Sequence, residues 1–369
     1  MNRKWDMYTI MHKNRKVAAI RNDGSCTIYA KSFMPYNLYL EKCEVSDIDT
    51  KLNNLENFYF WCASRVLSLD RKYAKEILNT IGATQSVTDR DRAMISLTYR
   101  CLTLTDVYWV KKRNEKVTFE DVNLYNHSLS DAFVDVSLRG KSLTVHNQQL
   151  LRDNDVAGDL STSGVAPKAW IRKEDGFYLY KDGNIDEVES ELMASQIIRC
   201  FDVDQIQYEA DSYAGEVVSS SSLITSPDRS IVAAEFVEIY AQNHNKSLQD
   251  FILKLDPYGY YMMNILDYLI GNNDRHWGNW GILVDNQTNK PIKLYPLMDF
   301  NRAFHDYDTL DGSKCLPSYS KLSQKEAALE AVKKIGLNQI KEIPRPKKMK
   351  DSIWDMLQKR LAILKAAEQ

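Results

Sequence analysis

Asn273-Asp274-Arg275-His276-Trp277-Gly278-Asn279 is the stretch on which the reading of this 369-residue chain turns. It sets a carboxylate and a carboxamide five positions apart in a polar loop. Upstream, an apolar helical run over residues 258–269 is entered just after Pro257 and stopped by Gly271. Downstream, Ile282-Leu283-Val284 and Ile292-Lys293-Leu294-Tyr295 read as strands around a polar turn at 286–289. The chain then reaches Leu297-Met298-Asp299-Phe300. The order is helix, glycine stop, polar loop, strand, turn, strand, Asp-Phe.

Phosphoryl transfer asks for this set. One carboxylate, Asp274, orients the attacking hydroxyl and can accept its proton. An amide oxygen from Asn279 and a second carboxylate from Asp299 suit Mg²⁺, which prefers hard oxygen ligands and keeps several waters. Asp-x-x-x-x-Asn, then a hairpin, then Asp, is the spacing logic of protein kinases, although Arg and His here follow the first Asp instead of preceding it. Asp-x-x-x-x-Asn by itself is common; the ordered context gives it meaning. Arg275 and His276 are expected to hold the loop in shape, since no second His or Cys stands near enough in sequence to complete a metal set with His276.

Working outward, 44% hydrophobic and 27% charged residues make an ordinary globular composition with room for a sizeable core. A formal net charge of −2 points to neither nucleic acid nor an anionic membrane. The six cysteines form no Cys-x-x-Cys pair, so reduced, mostly buried thiols are expected. The first residues lack the apolar core of a signal peptide, and no run nears the ~20 apolar residues of a membrane span. A cytoplasmic protein is the expectation.

Residues 1–150 read as a mixed, mainly helical accessory region. Tyr8-Thr9-Ile10-Met11, Val17-Ala18-Ala19-Ile20 and Cys26-Thr27-Ile28-Tyr29 are short strands, with a turn at Asn22-Asp23-Gly24. Helices are expected over 70–81, from Thr88 with apolar positions up to Leu102 and Leu104, and over 119–138. Residues 151–226 read as a β-rich lobe. A polar loop at 153–164 precedes strands at 169–172 and 176–181, a helix over 188–201 and further strands around 217–218 and 223–224. Residues 227–369 turn helical, with helices over 248–255, 258–269, 324–335 and 349–367.

Taken together, Asn273 to Asn279 and Leu297-Met298-Asp299-Phe300 resemble the core of HipA-type serine/threonine kinases, bacterial toxin-like kinases distantly related to eukaryotic protein kinases and phosphoinositide kinases. The resemblance spans residues 155–310 and, more loosely, the C-terminal helices. It implies an α+β, bilobal protein-kinase-like fold, with a β-rich nucleotide-binding lobe before a helical catalytic lobe. It implies ATP and Mg²⁺ as cofactors, with Asp274 catalytic and Asn279 and Asp299 on the metal. It also implies a phosphate loop of the form Ser-x-x-Gly-x-x-x-Lys, here Ser161, Thr162, Ser163, Gly164 and onward to Lys168. Lys181 falls where the family's phosphate-pairing lysine stands. Glu191, with Glu189 as runner-up, fits the helix glutamate that positions it, while Glu187 reads as helix N-terminal charge. The adenine-binding linker is expected near 219–225 and a substrate-facing wall within 301–320.

In the same family the phosphate loop can be autophosphorylated, and Ser161, or the adjacent Ser163, matches that position. A protein substrate and a small DNA-binding antitoxin partner are implied, with no direct nucleic-acid binding. Asp299 is followed by Phe300-Asn301 in place of Phe-Gly, a departure the family tolerates. Two other readings stay open from the residues: a small-molecule or lipid kinase of the same superfamily, and a non-catalytic nucleotide-binding module.

Overall fold

A computed structural model of the chain describes residues 7–44, 46–66, 88–126, 167–182, 184–318 and 321–368. It divides into two compact units. One comprises Met1–Lys181, Leu223–Ser230 and Asp285–Lys290; the other comprises Asp182–Ser222, Ile231–Val284 and Pro291–Gln369.

The first unit is built on an antiparallel sheet. Alternating and continuous apolar runs give β1 (Met7–His12), β2 (Arg15–Arg21) and β3 (Cys26–Ile28) in hairpin succession. A fourth strand, β4 (Tyr108–Lys112), pairs antiparallel with β1, giving the order β3-β2-β1-β4. Two helices, α1 (Ile48–Ala63) and α2 (Asp89–Thr98), cover one side. Phe58, Trp61, Cys62, Ala93 and Leu97 pack there against Ile10, Val17, Ala18, Ile20 and Val110. Met11 and Trp109 belong to a second cluster with Phe119, Val122, Leu124 and Phe177. Phe177 lies in the antiparallel hairpin of β5 (Lys168–Lys173) and β6 (Gly176–Lys181).

Several expectations for this unit are revised. The helix opened by Thr88, which makes a capping box with Asp91, stops at Thr98. Arg100 and Cys101 have φ of 64° and 56°, so the chain turns away, and Leu102 and Leu104 are buried from the connection into β4. The helix expected over 119–138 ends after one turn, α3 (Phe119–Val122), because Asn123 is extended and its Nδ2 donates to the Phe119 carbonyl at 2.9 Å. Helix α1 and strand β4 were not foreseen. Ile48 and Leu52 of α1 are exposed while Phe58 and Trp61 are buried, so its apolar residues do not fall on one stripe. The helix expected over 70–81 lies outside the described residues.

The second unit begins with α4 (Ile185–Ile198), capped by Asn184, which accepts from the Glu187 N–H at 2.9 Å. The hairpin of β7 (Glu209–Tyr213) and β8 (Glu216–Ser222) follows. Strand β8 stops at Ser222, so 223–224 is not strand. A short strand and a helix not foreseen, β9 (Arg229–Ala233) and α5 (Ala234–Gln242), lead to α6 (Leu248–Leu255) and α7 (Pro257–Ile270). Pro257 occupies the first turn of α7, where its missing N–H does no harm, and Asp256 accepts from the Gly259 N–H at 2.8 Å. From Met262 to Ile270 every residue of α7 is buried, which makes it the central helix of the unit. β10 (Gly281–Asp285) and β11 (Lys290–Leu294) form a sheet of order β11-β10-β9. α8 (Gln324–Ile335) and α9 (Asp351–Glu368) pack against α7. The architecture is mixed α+β with antiparallel sheets. Among the described residues no helix is long and apolar enough to cross a membrane.

Candidate active site

The C-terminus of α7 delivers the polar loop. Gly271 adopts φ 63°, and a Cβ there would sit 2.4 Å from Cδ2 of Tyr307, so only glycine fits this exit. Asp267, in the last turn of α7, is buried and takes the guanidinium of Arg275 on both oxygens, from Nε and Nη2 at 2.9 Å each. The remaining donor, Nη1, reaches the Asn279 carbonyl at 2.8 Å and also the Met298 carbonyl. One arginine, 2% exposed, therefore ties three things together: the helix that precedes the loop, the end of the loop, and the residue before Asp299. A buried, fully hydrogen-bonded pair of this kind contributes more to a single defined geometry than to stability.

Asn272 adds a second tie. Its Nδ2 donates to Asp267 Oδ1 at 3.1 Å and to the Asp299 carbonyl at 3.4 Å, and its Oδ1 accepts from the Asp274 N–H at 3.3 Å. Gln324 of α8 donates to the Asn272 carbonyl at 2.6 Å. Asn279 donates its Nδ2 to the Asp274 carbonyl at 2.9 Å, which fixes the amide flip and leaves Oδ1 as its acceptor. Asp299 has φ 62°, an uncommon conformation for a non-glycine residue, and its N–H donates to the Tyr208 hydroxyl at 3.1 Å. Phe300 behind it is fully buried, edge-on to Tyr208 and beneath the Arg275 guanidinium.

The three sequence-predicted residues of the loop and the Asp-Phe step are thus brought together. Electrostatics agrees with geometry. Burial pushes the Asp274 carboxyl above its ordinary value of 3.8; the charge of His276 opposes this, the Asp299 carboxylate adds to it, and Arg302 and Arg275 offset it. His276 accepts the Gly278 N–H on Nδ1 at 3.0 Å. A Cβ on residue 278 would lie 2.8 Å from the imidazole Cε1, so glycine is needed for the ring to seat. Both Arg275 and His276 brace the loop, the role expected of them.

Oxygens of Asn279 and Asp299 suit a hard cation such as Mg²⁺, which takes few protein ligands. Among the described residues no group of three or more His, Cys, Asp or Glu forms a ready-made cage.

The remaining predicted residues are distributed as follows. Glu191 of α4 is 1% exposed and accepts from the Ser219 hydroxyl at 2.5 Å. Glu189 instead pairs with Lys348 at 2.7 Å. Lys168 and Lys181, in the first unit, are both buried and stand directly opposite each other across the β5–β6 ladder. Ser161, Thr162, Ser163 and Gly164 lie outside the described residues. Sequence reasoning missed Asp267 and Tyr208, and it read Ser219 only as the start of the expected adenine linker, not as a partner of Glu191. Asp267 left a signal: a lone carboxylate inside an apolar helical run needs a buried partner, and Arg275 stands eight residues on.

No family model matches the sequence, and no curated protein matches it. Among solved structures, HipA of Shewanella oneidensis MR-1, in a toxin–antitoxin complex with HipB and its operator DNA, superposes with a TM-score of 0.53 at 10% identity. That match covers 98% of this chain and 96% of that one. The Helicobacter pylori proinflammatory kinase CtkA aligns with a TM-score of 0.44 at 17% identity, over 56% of this chain and 91% of that one. The chain therefore shares the fold of HipA.

Proposed function

We propose that the chain is an ATP- and Mg²⁺-dependent serine/threonine protein kinase of HipA type. The observation that carries this reading is the Arg275 fork. It joins the Asp274–Asn279 loop to the Met298–Asp299 step, which brings the raised carboxyl of Asp274 onto the same frame as Asn279 and Asp299. Asn279 Oδ1 and the Asp299 carboxylate would hold Mg²⁺, which when bound neutralises charge on the nucleotide phosphates. Asp274 aligns the acceptor hydroxyl and takes its proton on a carboxylate oxygen. Its partial burial makes it a better base than an exposed aspartate. Lys168, Lys181 and the Ser161 to Gly164 segment bind phosphates, and Glu191 supplies the helix carboxylate of the nucleotide site.

Autophosphorylation within Ser161–Ser163 and a small DNA-binding antitoxin partner extend the proposal, the latter from the HipB-bound state of the HipA neighbour. The test is transfer of labelled phosphate from MgATP to the chain itself and to a cell lysate, wild type against Asp274→Ala. Transfer that persists in the variant rejects the assignment of Asp274. Mass spectrometry after incubation with MgATP that finds Ser161 to Ser163 unmodified rejects the autophosphorylation.

A further inference from the structure

Three residues beyond Asp299 stands Arg302, whose backbone is fixed and whose head is loose. Phe300 and Ala303 on either side are fully buried, and the Ala303 N–H closes a turn onto the Phe300 carbonyl at 2.9 Å. The Phe304 N–H donates to the Ile270 carbonyl at the end of α7 at 3.0 Å. Asp306 accepts from Nδ2 of Asn273, at the start of the polar loop, at 2.6 Å. The segment is therefore pinned to both the helix end and the loop. The Arg302 side chain is nevertheless 44% exposed. Its Nη1 stands 3.7 Å from Glu187 Oε1, beyond hydrogen-bond reach, and a half-exposed pair of that geometry is held weakly. Glu187 lies one helical turn before Glu191, on the same face of α4.

The Arg302 guanidinium thus stands beside the acid of α4, on a segment tied to the loop that carries Asp274.

We infer that Arg302 is the cation that receives the terminal phosphoryl group of the nucleotide, resting on Glu187 until the triphosphate draws it away. An arginine suits this role, because its planar fork can meet two phosphoryl oxygens at once, whereas Arg275 is wholly engaged with Asp267 and two carbonyls. This inference rests on the kinase reading above.

The test is calorimetric titration with Mg²⁺ plus either the β,γ-imido analogue of ATP or ADP. Arg302→Ala should weaken the triphosphate analogue by about tenfold or more while ADP binds as to wild type. Arg302→Lys should recover part of the loss, and Glu187→Gln should leave the triphosphate bound as tightly as in wild type or more so. At saturating MgATP, Arg302→Ala should lower kcat while KM for the acceptor stays put. If Arg302→Ala weakens both nucleotides equally, or neither, the inference is overturned and the kinase reading stands. If wild type binds neither nucleotide, the kinase reading fails and takes the inference with it.

Discussion

Two polar loops flank strand β10, and they treat their aspartates in opposite ways. In the turn that follows it, Asp285 accepts from the Thr288 hydroxyl at 2.8 Å, the Thr288 N–H at 2.7 Å and the Gln287 N–H at 3.0 Å, and these bonds pull its carboxyl below the ordinary range. The amides of that turn are equally committed. Asn289, with φ 55°, donates to the Ser32 and Met34 carbonyls and accepts from the Tyr108 hydroxyl. Asn286 accepts from the Ser230 hydroxyl and donates to the Ser226 and Pro227 carbonyls. In the loop that precedes β10, the arginine is buried instead, and Asp274 is left partly desolvated beside Asp299 with no side-chain hydrogen bond among the described residues. A carboxylate satisfied by its own turn is structural. A carboxylate held above its ordinary range by its surroundings is the kind that clusters at functional sites.

The largest effect expected from this contrast is on transfer. Asp274→Ala should lower phosphate transfer by about a thousandfold or more in the labelled-phosphate assay, with nucleotide binding retained by thermal shift. Asp285→Ala should leave the rate per folded molecule as it was, and equal losses in the two variants would dissolve the distinction.

Arg275→Met comes next and is read as stability. It strands the Asp267 carboxylate in a buried site, which should cost about 3–5 kcal/mol in urea unfolding. Adding Asp267→Leu should recover much of that loss, because a buried ion pair can often be replaced by well-packed apolar groups.

Asn289→Ala should be milder, about 1–3 kcal/mol, for the unsatisfied carbonyls and hydroxyl it leaves behind. Asn289→Gly keeps the left-handed backbone and should lose less than the alanine variant.

The smallest effect is on the pH profile of stability, and its sign separates the two aspartates. Asp274 binds its proton more tightly folded than unfolded. Its contribution therefore falls as pH rises from about 3.8 through its raised folded value, and Asp274→Asn should raise Tm at neutral pH. Asp285 binds its proton less tightly when folded. Its contribution is present above about 3.8 and is lost as pH falls through the depressed value, so Asp285→Asn should lower Tm at neutral pH. Differential scanning calorimetry between pH 3 and 7 reads both signs.

Much of the second unit was legible before any coordinates because its signals are local. Ser247, Asp256 and Ser323 cap helices whose apolar period is regular, and α6 and α8 run over the expected residues. Less of the first unit was legible. Helix α1 carries apolar residues on its solvent side, α2 ends where two left-handed residues break its period, and β4 is recognisable only by pairing with β1 a hundred residues away. Strand β9 is short enough that its neighbour β10 defines it.

The same division runs through the site. The order Asp274, Asn279, Asp299 and the need for glycine at 271 were determined by sequence, since a helix stop, a five-residue spacing and a hairpin lie within one continuous stretch. That Arg275 would carry the loop's geometry through Asp267 and Met298, that Tyr208 would receive the Asp299 N–H, and that Arg302 would stand beside Glu187 was decided only by tertiary structure. Those partners come from separate segments, and a buried charge selects whichever distant group can satisfy it, a choice that local pattern does not encode.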